Sequence, residues 1–135
     1  MDLNTNYSKC FAISNDVAKH APLLPKHVVC VISGSTGCGK TNLLLNLLLK
    51  ESVLDYDRIY IFCPTIHQPA YQYLKDYYNN LENIIRKRCN RTVQIVYFFE
   101  NDEDLMDPSE LDPNSNHIMI FDDCLLKDQT KIKNF

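Results

Sequence analysis

The sequence predicts an α/β domain, a mostly parallel sheet with helices on both faces. Apolar runs of strand length alternate with stretches of helical period, the order that builds βαβ units. Two of those runs, "HVVCVIS" and "HIMIFDDC", are apolar without alternation, as in strands buried on both sides.

Taken in order, residues 1–26 show no clear period and form a lead-in segment to a domain over 27–135. Pro22 and Pro25 argue for extended chain there. "HVVCVIS" (27–33) reads as the first strand and "TNLLLNLLLK" as a leucine-rich helix without a breaker. "RIYIFCP" (58–64) is a second strand, stopped by Pro64. A long helix follows, with Pro69 suited to its first turn and Tyr71, Leu74, Tyr78, Leu81 and Ile85 at spacings of three and four. These tyrosines read as packing residues. "TVQIVYFF" (92–99) is the third strand. A proline-punctuated acidic connection with a short helical turn leads to the fourth strand (117–124), and "LLKDQTKIKNF" begins another helix.

Apolar content of 45% and 23% charged residues describe a soluble globular chain of 135 residues. No apolar run reaches the length of a membrane span. The first residues carry neither the basic nor the apolar region of a signal peptide, which reads as an intracellular protein. Six cysteines without CxxC or metal-like spacing read as reduced thiols. The net charge of −3 lacks the basicity of many nucleic-acid binders. Both the acidic segment over 100–112 and the basic knot Arg86, Lys87, Arg88 and Arg91 read as solvated surface.

The chemistry lies in "GSTGCGKT", Gly34 to Thr41, which matches the Walker A pattern GxxxxGK[ST]. The chain owns three glycines, Gly34, Gly37 and Gly39, and all stand in this loop. Glycine reaches positive φ and lacks a Cβ, so successive N–H groups of Gly34, Ser35, Thr36, Gly37, Cys38, Gly39 and Asn42 can turn around phosphate oxygens. Lys40 supplies an ammonium to the β- and γ-phosphates, and the Thr41 hydroxyl a ligand for Mg²⁺. The positive end of the following helix faces the same phosphates. ATP and Mg²⁺ are therefore the expected cofactors. At the end of the fourth strand, Asp122 is the expected Walker B acid and Asp123 the group that polarises attacking water.

With "LLPKHVVCVISGSTGCGKTNLLLNLLL", "YDRIYIFCPTIHQPAYQYL" and "IMIFDDCLLKDQ", residues 22–135 resemble the DNA-packaging ATPases of large double-stranded DNA viruses and Polinton-type elements. These form part of the HerA/FtsK branch of P-loop ATPases, which has a poxvirus member. The resemblance implies an ATP-driven, ring-forming motor acting on double-stranded DNA, with capsid or portal components as partners and no membrane. It implies a location in the virion or the infected host cell. By the same resemblance Lys40 and Thr41 bind nucleotide and Mg²⁺, Asp122 is the Walker B acid and Asp123 the catalytic acid, where relatives often carry Glu. Members continue past the Walker B strand through a sensor residue and an arginine finger, whereas twelve residues follow Asp123 here. The implied expectation is a truncated copy, a fragment or half of a split gene, with a vacancy in the sheet and poor turnover alone.

Other readings separate by their own features. A nucleoside or nucleotide kinase needs an arginine-rich lid, and the basic knot before the third strand is oddly placed for one. A GTPase is disfavoured by the absence of DxxG and NKxD patterns. A nucleotide-binding relic without catalysis is the third reading.

Overall fold

The structure, a computed structural model, describes residues 28–50, 53–101, 104 and 106–124. The lead-in over 1–26 and the helix expected after residue 124 lie outside the described residues.

Helix α1 (Lys40–Leu49) precedes strand β1 (Arg58–Phe62), helix α2 (Pro69–Cys89) and strand β2 (Val96–Phe99). A 3-10 turn at Pro108–Glu110 then leads to strand β3 (His117–Phe121). The three strands form one parallel sheet in the order β2-β1-β3. Ile59 stands opposite Val96 on one side and Ile118 on the other, and Phe62 opposite Phe99 and Phe121. Parallel neighbours require a crossover at each step. Helix α2 makes the first, and residues 100–116 carry the chain from β2 past β1 to β3.

Strand side chains alternate between faces, and the alternation is clean. Ile59, Ile61 and Cys63 of the β1 segment, with Val96 and Ile120, share a core with both helices. Tyr71, Leu74, Tyr78, Leu81 and Ile85 of α2 are all buried, the stripe that the spacing predicts. On the other face Phe62 stacks between Phe99 and Phe121, with ring centroids 4.8 and 5.1 Å away. Tyr60 stacks on Tyr97 at 5.0 Å. Among the described residues, both helices contribute to one core, so helices on both faces are not seen.

Helix α2 is bounded as its sequence dictates. Pro69 stands in its first turn and Asn90, at φ 49°, turns the chain off in the left-handed region. Arg86, Lys87 and Arg88 fall in its last turn, where cations complement the helix dipole. That gives the basic knot a local role.

Two expectations need correction. Residues 28–33, expected as a buried strand, form none: Val29 is 91% and Val31 85% exposed. A β-branched run becomes a strand only beside a neighbour that takes its backbone hydrogen bonds, and residues 28–33 pair with none of β1, β2 and β3. Strand β2 begins at Val96 rather than residue 92. The Ile95 amide is taken by Glu82 Oε1 of α2 at 2.6 Å, which anchors the strand's start to the helix. In the acidic connection, expected as solvated surface, two carboxylates also organise the backbone. Asp107 accepts from the Ser109 amide and hydroxyl, and Asp112 from the Asn114 amide and Ser115 hydroxyl, so both carboxylates hold turns. These bonds hold both carboxyls below their ordinary pKa.

At the sheet's opposite edge two buried acids clamp the starts of β1 and β3. Asn116 donates its amide to Asp57 Oδ2 at 2.7 Å and its side chain to Asp55 Oδ2 at 2.9 Å. Among the described residues, no helix is long and apolar enough to cross a membrane.

Candidate functional site

The glycine loop divides two tasks among its three glycines. Gly37 and Gly39 adopt φ of 80° and 93°, which side-chain-bearing residues rarely do. Gly34 is needed for room: a Cβ there would stand 2.5 Å from Cys38 Sγ. The turn is closed by the Cys38 amide bonding to Ser35 O at 3.2 Å. Ser35, Thr36 and Cys38 are exposed, and Thr41 and Asn42 lie in the first turn of α1.

Lys40 opens that helix and folds its ammonium back over the loop, donating to Gly34 O at 2.9 Å and Ser35 O at 3.0 Å. Gly39 is the N-cap, so no side chain caps the helix, and no acidic residue occupies its first turn. The start of α1 thus presents amide donors and positive dipole without a built-in anion. These features fit a phosphate-bearing ligand.

The other end of α1 is fixed by a tyrosine relay. The Tyr56 hydroxyl donates to Leu48 O at 2.8 Å, satisfying a last-turn carbonyl. Its single proton is thereby used, so the Tyr78 hydroxyl of α2 donates to it. Burial pushes Tyr56 up to about 12, against a lowering by the Tyr78 bond. The relay holds α1 to α2 and to the start of β1.

Asp122 and Asp123 directly follow β3, at the carboxyl edge of the sheet where ligands of parallel sheets collect. The Asp122 amide donates to Phe62 O at 3.0 Å, continuing the ladder one step beyond the strand. Its carboxylate Oδ2 accepts the Tyr71 hydroxyl from the first turn of α2. Burial, and then this bond, push the Tyr71 hydroxyl well above its ordinary range. Asp123 is exposed and sits at φ 54°, a left-handed conformation that Asp tolerates better than most residues.

The structure therefore gathers Gly34, Ser35, Cys38 and Lys40 into one loop, and Asp122 with Tyr71 into a second group. Among the described residues, hydrogen bonds do not join the two. No three His, Cys, Asp or Glu side chains converge among them either. That is compatible with Mg²⁺, which is held by one or two protein groups together with phosphates and water. Sequence reasoning assigned Tyr71 to packing and missed its hydroxyl. The available signal was its position, the third residue of a helix that leaves the sheet's carboxyl edge.

Comparison with family models, with curated proteins and with solved structures finds no match to this chain.

Proposed function

We propose that the chain is a P-loop nucleotide-binding domain that takes ATP with Mg²⁺, of the kind that drives DNA-packaging motors. The glycine loop carries this reading. Two positive-φ glycines, a third required by close packing, and a lysine over the loop carbonyls stand at an uncapped helix start. Bound Mg²⁺ would supply charge neutralisation on the phosphates. Lys40 would exchange its carbonyl acceptors for phosphate oxygens, Thr41 and Asp122 would hold the metal, and Asp123 would orient water.

The anchoring of α1 supports the two groups serving one ligand. Its C-terminal end is tied beside the start of β1, and ten helical residues span about 15 Å. Five strand residues span about 16 Å. A helix of that length running antiparallel to β1 would bring the loop level with Asp122. Double-stranded DNA, capsid or portal components, and further copies of the chain in a ring are the partners that the resemblance adds, and the virion or infected cell is the location.

The test is equilibrium binding of ATP with Mg²⁺, followed by phosphate release with and without double-stranded DNA. Lys40→Ala is expected to abolish binding, and Asp123→Asn to keep binding and lose turnover. Wild-type chain that binds no ATP would refute the reading. The exposed Val29 and Val31 favour a second reading, binding without turnover, and saturable binding without phosphate release at any DNA concentration would establish it.

A further inference from the structure

Tyr71 is 1% exposed, its ring lies edge-on to Phe98 with centroids 6.4 Å apart, and its hydroxyl donates to Asp122 Oδ2. Packing alone needs only the ring, and Phe would provide it. A buried hydroxyl requires a partner, and here the partner is the acid at the carboxyl edge of the sheet.

The surroundings hold both members of the pair. Tyr71 is placed by its amide bond to Gln68 O at 3.0 Å. Gln68 in turn donates its side chain to Thr65 Oγ1 at 2.8 Å, which meets Cys63 Sγ at 3.3 Å. On the other side, the Asp122 amide bonds to Phe62 O at 3.0 Å, and the Cys124 thiol donates to the same carbonyl at 3.0 Å. The stretch "CPTIHQPAY" thus links the end of β1 to the Asp122 carboxylate through α2. Only one carboxylate oxygen meets Tyr71, and a carboxylate accepts at both.

We propose that Tyr71 is a positioning residue for Asp122: its hydroxyl fixes the carboxylate through Oδ2 so that Oδ1 is presented to a nucleotide-bound divalent cation. This rests on the proposed function, because it takes Asp122 as the metal-side acid. Tyr71 itself touches neither metal nor nucleotide.

The test uses the full chain, a fluorescent ATP analogue and titrated Mg²⁺. Tyr71→Phe is expected to leave binding in chelator unchanged and to raise the Mg²⁺ needed for half-maximal binding roughly tenfold, the worth of a bond to a charged group. In an Asp122→Asn background the same substitution should add little to that requirement, since the two act as one unit. A purely structural hydroxyl would lower thermal stability equally in both backgrounds and leave the Mg²⁺ requirement unmoved. That result overturns the proposal while the nucleotide reading stands. Wild type that binds no analogue overturns both, although a melting-temperature cycle on the two substitutions still reports whether the pair is coupled. Loss of the fold in Tyr71→Phe, restored in the double variant, also overturns it, because the hydroxyl would then serve only to partner a buried acid.

Discussion

At the residue scale, Gly34 separates two reasons for glycine that a motif merges. Gly37 and Gly39 need positive φ, whereas Gly34 needs the space beside Cys38. Gly34→Ala is therefore expected to weaken ATP binding at least about tenfold, consistent with a positioning error near the ligand. Its melting temperature should change little, because the loop is exposed. Gly34→Ala/Cys38→Ala removes the opposing sulfur and should recover much of the affinity, as isothermal titration would measure. Equal loss in both variants would mean that the loop forbids a Cβ at 34 for another reason. The loop's tight turn at the start of α1 was legible because spacing and residue type encode it. The Tyr71–Asp122 bond was not, because helical period tells which face a side chain occupies and not which atom its hydroxyl reaches across 51 positions.

At the element scale, α1 has leucines around much of its circumference, yet only Leu48 is fully buried and Leu43 is 48% exposed. Leu44, Leu45 and Leu49 pack half-buried against the core, and the Tyr56–Leu48 bond adds a directed contact at the helix's last turn. The relay has a pH signature. Tyr56 is raised to about 12, so the folded chain holds this proton more tightly than the unfolded chain does. Its contribution is whole below pH 10 and disappears as pH rises from 10 to about 12. The wild type is expected to lose on the order of 2–3 kcal/mol over that window through this group. Tyr56→Phe should cost about 1 kcal/mol at neutral pH and then fall less steeply, as urea unfolding across the alkaline range would reveal. Parallel curves for the two proteins would remove Tyr56 as the titrating group. The start and the buried face of helix α2 were legible from Pro69 and the five-residue stripe. The start of β2 was not, because it depends on Glu82, thirteen residues away, taking the Ile95 amide.

At the scale of the whole molecule, the glycine loop hangs between two unlike supports. On its C-terminal side α1 is tied by Leu48 and Tyr56 to α2 and β1. On its N-terminal side residues 28–33 join no strand, and Val29 and Val31 face solvent. The β-branched pattern of that run was correctly seen, but a pattern states a preference and cannot supply the neighbouring strand that satisfies it. The difference is measurable. If the run lies outside the sheet, Val29→Lys and Val31→Lys should each change unfolding free energy by less than about 0.5 kcal/mol, as exposed substitutions do. If it were a strand buried on both faces, either lysine would place an unpaired charge in the core and cost several kcal/mol. Unfolding in urea decides between them, and nucleotide binding by the same variants adds a second axis. Retained stability with retained ATP affinity means that α1 alone holds the loop in its working shape. Retained stability with lost affinity means that the valines are needed once ligand is present, so that binding itself completes the sheet around residues 28–33.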